Sequence, residues 1–194
     1  MPDIDKSLII KNISKHITLD NNEEKHFLSI LKPQKIKKKA FLLKEGDICR
    51  ATAFVINGCM KSFTVDKNGF ERVLNFAPVD WWTADMFSLI SQRAAILNIQ
   101  AIADTQLLLL SKQDQEALYF QIPKFERFFR IIIEKSLVAH QMRVLDGLSL
   151  TAEQRYIKFC EKYPQLWNQL PQKEIASYIG VTPEFFSKMK RNMD

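Results

Sequence analysis

The sequence predicts an α+β protein in which an antiparallel β-barrel or jelly roll (a β-roll) is followed by one long helix and a helix–turn–helix. Three observations indicate this order: short β-rich runs over residues 36–110, one continuous apolar stripe over 125–148, and a helix–turn–helix pattern that begins at Gln172. We expect three segments: the β-roll with a preceding helix in 1–122, the long helix in 123–148, and the helix–turn–helix domain in 149–194.

Short apolar runs separated by turn signals predict the strands of the roll. Asn68-Gly69 lies between two such runs and is the clearest hairpin turn. Before the roll, Asp20 is a suitable cap for a short helix that ends before Pro33. The predicted strands cover residues 41–43, 53–56, 60–65, 73–76, 99–102 and 107–110.

Composition excludes several classes of protein. The chain has 194 residues, of which 46% are apolar and 26% charged, with a formal net charge of +6. No run of apolar residues is long enough to cross a membrane, and the N-terminus lacks the pattern of a secretory signal. Its three cysteines form neither a disulfide framework nor a ligand set, so we expect a cytoplasmic protein.

The histidines argue against an enzyme or a metal site. Residues 36–110 contain no histidine, whereas a metal-dependent enzyme on a barrel of this kind needs two or three with a carboxylate. His16, His26 and His140 have no spacing suited to zinc or haem. We therefore predict no catalytic residues and no metal.

The stripe on the long helix has two interpretations. Apolar residues recur every three or four positions on a helix of about 37 Å, and such a face is buried against something. It is either a core helix of the same chain or the seam of a dimer, with His140 as a polar register point. The seam would contain Phe129, Ile133, Leu137, His140 and Val144.

The C-terminal pattern fits a helix–turn–helix at each position that packing constrains. Ala176 is small where the two helices cross, and Gly180 suits the left-handed conformation that ends the first helix. Thr182 then caps the second helix, with Pro183 in its first position. The apolar positions hold Ile175, Ile179, Val181, Phe186 and Met189.

If the second helix enters the major groove, its polar residues have distinct roles. Glu184 can accept from a cytosine amino group, and Lys188 can donate to guanine. The alternatives are a three-helix subdomain without a ligand and, for Glu184, an acid that favours the start of its helix. The candidate DNA-binding residues are Thr182, Pro183, Glu184, Ser187, Lys188, Lys190 and Arg191, of which Thr182, Ser187, Lys190 and Arg191 suit phosphates.

These motifs together resemble the Crp/Fnr family of bacterial transcription regulators. The residues that carry the resemblance are FLLKEGD at 41–47, FVINGCMKSF at 54–63, DKNG at 66–69 and EIASYIGVTPEFFSK at 174–188. The run LPQKEIASYIGVTPE is similar to the small subgroup, common in Bacteroidetes-type genomes, that lacks the C-terminal wing strands.

The resemblance implies a cyclic-nucleotide-binding-type β-roll, a homodimer built on the long helix, and two recognition helices on one face of DNA. A two-fold dimer would place those helices about 34 Å apart on a near-palindromic site of double-stranded DNA. RNA polymerase is a further partner that the family implies, and no membrane partner is expected.

The family's phosphate-binding cassette is altered here. Its Gly-Glu pair is followed about ten residues later by Arg and a small residue, and glycine lets backbone amides approach a phosphate. Here the pair is Ala84-Asp85, and Arg93 follows eight residues after the acid. We do not expect cyclic AMP as the effector, and leave another small molecule open. The candidate pocket comprises Trp82, Ala84, Asp85, Met86, Arg93 and Ala94.

The sequence thus predicts a sequence-specific DNA-binding regulator that acts as a homodimer. The alternative is a ligand- or protein-responsive β-roll that has lost DNA binding. Two features support this alternative: a net charge of only +2 from Thr151 onward, and Phe185 on the second helix, which is bulky for that position.

Overall fold

The computed structural model describes residues 5–193 and confirms the predicted α+β architecture. The strands are β1 Lys32–Ile36, β2 Phe41–Leu43, β3 Ala51–Asn57, β4 Met60–Val65, β5 Glu71–Ala77, β6 Trp82–Thr83, β7 Asn98–Ala101 and β8 Thr105–Ser111. The helices are α1 Ser7–Ser14, α2 Asn21–Ile30, α3 Met86–Ser91, α4 Lys112–Gln121, α5 Lys124–Ser149, α6 Ala152–Lys162, α7 Gln172–Ile179 and α8 Pro183–Arg191. No helix in this described range is long and apolar enough to cross a membrane.

The strands form two four-stranded sheets, with orders β1-β8-β3-β6 and β2-β7-β4-β5. Strand β8 pairs antiparallel with both β1 and β3, so Leu109 lies opposite Lys32 on one side and Ala53 on the other. The two strands at the ends of the first sheet were not predicted. β1 carries Pro33 and two lysines, which are typical of an edge strand, and β6 has only two residues.

Strand β3 is buried on both faces because it lies between two apolar clusters. Ala53 and Val55 belong to the cluster between the sheets, whereas Phe54 belongs to a second cluster that helices cover. Successive side chains of a strand point to opposite faces, so one strand supplies both clusters. The helical cover includes Ile9 and Ile13 of α1, Phe27 of α2, Leu118 of α4 and Phe125, Phe128 and Phe129 of α5.

Gly58 joins β3 to β4 and cannot be replaced without strain. Its φ is +86°, and an added Cβ would lie 2.5 Å from Oγ1 of Thr105 and 2.6 Å from the carbonyl oxygen of Asp104. Glycine is therefore required there for two independent reasons: the left-handed backbone and the close approach of Asp104 and Thr105.

The helix predicted after Asp20 is confirmed. The Asp20 carboxylate accepts hydrogen bonds from the amides of Asn22 and Glu23, and the Glu23 side chain accepts from the amide of Asp20. This is a complete capping box. Helix α1 was not predicted, because Lys6 precedes it and no side chain caps it.

The chain forms two compact units that are discontinuous in sequence. Of the described residues, 5–62 and 76–134 form the first unit, and 63–75 join 135–193 in the second. The three linear segments that the sequence indicates stay a prediction. The tip of the β4–β5 hairpin falls within the second unit, where its backbone is hydrogen-bonded to Ser177 of α7.

Candidate nucleic-acid interface

Helices α7 and α8 form the predicted helix–turn–helix. The apolar positions at their crossing are buried: Ala176 and Phe186 are 0% exposed, and Ile175, Ile179 and Met189 are nearly as inaccessible. The ring of Phe186 meets Tyr156 of α6 edge-on, with their centroids 5.2 Å apart. Three helices thus enclose one small core, which holds α8 by its apolar face.

The turn between the helices has the geometry that the sequence predicted. Gly180 has a φ of +79°, and the amide of Val181 donates to the carbonyl of Ala176 at 3.0 Å. The hydroxyl of Thr182 accepts from the amide of Phe185 at 3.2 Å, and Pro183 takes the first position of α8. Each group satisfies a backbone requirement of a helix end, so α8 begins at a defined residue.

The polar face of α8 is exposed. Glu184, Ser187, Lys188 and Arg191 occupy positions i, i+3, i+4 and i+7 and are all accessible, so they lie on one side of the helix. Thr182 and Pro183 are exposed at its start. Within residues 5–193, the charged members of this face form no ion pair. The charges are therefore available to an external partner.

Two residues of α8 lie beside this face. Lys190 is half-buried, and its position is about 120° around the helix from Glu184. Burial raises the pKa of the Cys160 thiol in α6, and the positive charge of Lys190 partly opposes this rise. Phe185 is 49% exposed and lies on the opposite side of the polar face from Lys190. The structure thus groups six of the seven predicted DNA-binding residues and places Lys190 apart from them.

Asp85, the acid of the altered cassette, has a structural role. It caps α3 by accepting from the amide of Ser88 at 3.0 Å, and its second oxygen accepts from the amides of Ile96 and Leu97 at 2.9 and 3.0 Å. The residue is 1% exposed. In this structure the carboxylate is enclosed by its own loop and is not accessible to a ribose hydroxyl.

Most of the other predicted pocket residues are more exposed than Asp85. Arg93 is exposed and lies over the ring of Phe87, with 5.7 Å between its guanidinium carbon and the ring centroid. Met86 and Ala94 are exposed, and Ala84 is half-buried.

The two adjacent tryptophans, Trp81 and Trp82, pack against different clusters. Trp82 packs against the helix-covered cluster, where its ring centroid is 5.1 Å from that of Phe54, and it donates to Asn12. Trp81 packs against the cluster between the sheets. Core packing is therefore a role of both side chains.

A surface cavity of about 540 Å³ lies elsewhere in the first unit, and the sequence offered no signal for it. It is formed by the segment that joins α1 to α2 and by the first turn of α5. None of the six predicted pocket residues lines it; its lining is His16, Ile17, Thr18, Leu19, Asp20, Lys124 and Arg127.

The long helix divides the predicted seam into a buried and an exposed part. Phe129 is 5% exposed and packs among the rings of the first unit's core, so it is not on the exposed stripe. Its burial follows from the aromatic residues that surround it in the same chain. Ile133, Leu137 and Val144 are 48%, 58% and 63% exposed, and His140 is also accessible. The exposed apolar set further includes Val138, Met142, Leu145 and Leu148.

Comparisons with known proteins agree with this architecture. Residues 33–121 match the family model described as the cyclic nucleotide-binding domain. No curated protein matches the sequence.

Solved structures with the same fold cover nearly the whole chain. FixK2 from Bradyrhizobium japonicum has a TM-score of 0.74 at 18% identity, over 84% of each chain. The c-di-GMP responsive global regulator CLP of Xanthomonas campestris has a TM-score of 0.71 at 15% identity, over 90% of this chain and 91% of that one. A transcriptional regulator of the Crp/Fnr family from Eubacterium rectale has a TM-score of 0.70 at 15% identity, over 90% of this chain and 83% of that one.

The protein is thus a cyclic nucleotide-binding-type β-roll joined through a long helix to a helix–turn–helix unit. This is the fold of solved regulators that include one of the Crp/Fnr family, so the resemblance in fold that the sequence motifs indicated is confirmed.

Proposed function

We propose that this chain is a sequence-specific DNA-binding transcription regulator that acts as a homodimer. The observation that carries the proposal is the division of α8 into two faces. Phe186 and Met189 are buried in the three-helix core, while Glu184, Lys188 and Arg191 are exposed without an internal ion pair in the described chain. A helix held in this way can enter the major groove without rearrangement.

The roles on α8 follow from its chemistry. Glu184 accepts from the amino group of cytosine, and Lys188 donates to O6 and N7 of guanine. Thr182, Ser187 and Arg191 contact phosphates, which set the position of the helix without reading sequence. The half-buried Lys190 contributes less to DNA binding than the exposed Lys188 and Arg191 do.

The exposed stripe of α5 supports a dimer with a second copy of the chain. Leu137 and Val144 are seven residues apart, as are Val138 and Leu145, and all four are more than half exposed. This repeat is typical of helices that pair side by side. A two-fold axis along α5 would present two copies of α8 to one face of the duplex, about one helical turn apart.

The effector of such a regulator would be a small molecule other than cyclic AMP. The enclosed carboxylate of Asp85 supports this, because it is not accessible to a ribose. The regulator from Xanthomonas campestris is described as c-di-GMP responsive, which indicates that the fold accommodates other effectors. A regulator of this kind acts in the cytoplasm together with RNA polymerase.

Salt dependence of DNA binding tests the proposal. Each phosphate contact that is lost lowers the slope of log K against log salt concentration by about one. We expect such a reduction for Arg191→Ala, a smaller one for Lys190→Ala, and none for Lys11→Ala, which removes an exposed lysine of α1. Equal slopes for Arg191→Ala and the parent would refute the phosphate role.

A second candidate function is a ligand- or protein-responsive module that no longer binds DNA. Phe185 supports it, because an aromatic side chain that is 49% exposed beside the polar face of α8 also suits a protein partner. The same titration separates the two functions, since this module would show no binding to duplex DNA even at low salt.

A further inference from the structure

Strand β5 is at the edge of its sheet, and side chains of the second unit cover its free backbone groups. The Ser177 hydroxyl donates to the carbonyl of Glu71 at 2.6 Å and accepts from the amide of Val73 at 2.9 Å. One hydroxyl therefore satisfies an acceptor and a donor that a neighbouring strand would otherwise satisfy.

Arg143 of α5 contacts the same strand and the end of α7. Its Nη2 donates to the carbonyls of Val73 at 2.8 Å and Tyr178 at 2.9 Å, and its guanidinium carbon is 4.0 Å from the ring centroid of Tyr178. Its Nη1 is buried and has no hydrogen-bond acceptor among the described residues. A buried donor without an acceptor is unfavourable, so the contacts of Nη2 and of the ring must compensate for it.

A second arginine completes the end of α7. Arg155 donates through Nε to the carbonyl of Ile179 at 2.8 Å and through Nη1 to that of Leu150 at 2.7 Å. The last carbonyls of a helix have no partner within it, and a cation there also favours the negative end of the helix dipole. Tyr178 and Ile179 immediately precede Gly180, where the turn into α8 begins.

We propose that Ser177 and Arg143 form a clasp between the β4–β5 hairpin and α7 that positions α8 for DNA recognition. The inference rests on the proposed DNA-binding function and adds two residues that do not lie on α8. Both are positioning residues, because the Ser177 hydroxyl and Nη2 of Arg143 are engaged with backbone groups of the same unit. Arg143 is thus a cation of the DNA-binding unit that does not contact phosphate.

The clasp predicts a loss of specific binding without a loss of phosphate contacts. Ser177→Ala removes two hydrogen bonds, and we expect about tenfold weaker binding to the DNA site selected by the parent protein. Arg143→Gln should weaken this binding to a similar degree, while the salt dependence of binding to random duplex DNA stays unchanged. Ser177→Thr keeps the hydroxyl and should restore most of the affinity.

Amide hydrogen exchange gives a readout that is independent of DNA. In Ser177→Ala the amide of Val73 loses its acceptor, and its exchange should accelerate about tenfold or more relative to the parent. The matched controls are Ser149→Ala, which removes an exposed hydroxyl from α5, and Arg130→Gln, which removes an exposed guanidinium from the same helix. Neither control should alter specific binding or exchange at Val73.

Three outcomes are decisive. Unchanged specific affinity in both Ser177→Ala and Arg143→Gln, with the parent still binding its site, would overturn the clasp alone. A salt slope reduced by about one in Arg143→Gln would assign this residue to phosphate instead. A parent protein that selects no site would overturn the proposed function and the positioning role together. If Ser177→Ala does not fold, Arg143→Lys replaces it in these measurements. Lysine keeps the positive charge but lacks the planar guanidinium that bonds two carbonyls.

Discussion

The hydroxyl of Thr182 accepts a hydrogen bond from the backbone amide of Phe185 at 3.2 Å, and this contact begins the helix that we assign to the major groove. The same residue is exposed and adjoins the polar face of α8. The start of the helix and the proposed DNA contact thus depend on one side chain.

Thr182→Ala should destabilise the protein and weaken its binding to DNA. Loss of the cap leaves an amide of the first turn without an acceptor, which lowers the free energy of unfolding by about 1 kcal/mol. Urea unfolding of the parent and the variant measures the difference. Thr182→Ser is the control and should stay within a few tenths of a kcal/mol of the parent. Equal stability of the alanine variant would show that the cap contributes nothing.

Charged residues on the exposed stripe of α5 should dissociate the dimer. Leu137→Lys combined with Val144→Lys places two charges in the proposed seam, where burial without partners is unfavourable. Sedimentation equilibrium should give twice the chain mass of 22.6 kDa for the parent and that single mass for the variant.

The matched control for the dimer places the same two charges elsewhere. Gln113→Lys combined with Gln169→Lys substitutes exposed positions outside α5, so this variant should remain dimeric. A folded and still dimeric Leu137→Lys, Val144→Lys variant would remove the seam from α5. A monomeric parent would exclude the dimer itself.

Asp85→Ala should destabilise the β-roll rather than abolish an effector site. The change leaves the amides of Ser88, Ile96 and Leu97 without their acceptor, and we expect the free energy of unfolding to fall by about 3 kcal/mol. Asp85→Asn keeps one acceptor oxygen, so its free energy of unfolding should lie between those of Asp85→Ala and the parent.

The same carboxylate predicts the response to cyclic AMP. A ligand that binds only the folded state raises the melting temperature as its concentration increases. We expect no such rise for the parent with cyclic AMP, because Asp85 is enclosed by its loop. A concentration-dependent rise that Arg93→Ala abolishes would show that the altered cassette still binds the nucleotide.

Burial of Cys59 predicts how stability changes in alkaline solution. Desolvation raises the pKa of this thiol to about 12, whereas the pKa of an unfolded cysteine is about 8.5. Between about pH 8.5 and pH 12, the Cys59 thiol therefore keeps its proton in the folded protein and loses it in the unfolded chain. The contribution of Cys59 to stability is complete below about pH 8.5 and declines as the pH rises toward 12.

A double difference isolates the effect of Cys59. Between pH 7.5 and about pH 9.5, the free energy of unfolding should fall more in the parent than in Cys59→Ala. Cys49 and Cys160 are unchanged in both proteins and cancel in the comparison. An equal fall in the two proteins would mean that the thiol ionises in the folded state as readily as in the unfolded chain.

Local signals account for the elements that the sequence predicted correctly. The cap at Asp20, the glycine that ends α7 and the threonine that begins α8 are each defined by a few neighbouring residues. The short apolar runs that form β3 and β8 and the hairpin turn at Asn68-Gly69 are equally local. Physical requirements of this range can be read directly from the sequence.

The elements that escaped prediction depend on distant partners. Asp85 was interpreted through its resemblance to a phosphate-binding cassette, but its partners at Ile96 and Leu97 are 11 and 12 residues away. Ser177 and Val73 are 104 residues apart, and Arg143 and Val73 are 70 apart. No pattern within a short window encodes such contacts, so the clasp became visible only in the folded chain.

Selection of bound fragments from random duplex DNA by the purified full chain tests the central claim most directly. We predict enrichment of a near-palindromic site whose half-sites are about one helical turn apart, and loss of that preference in Glu184→Ala combined with Lys188→Ala. Binding that is absent at low salt, or that enriches no sequence, would contradict the proposal that α8 reads DNA.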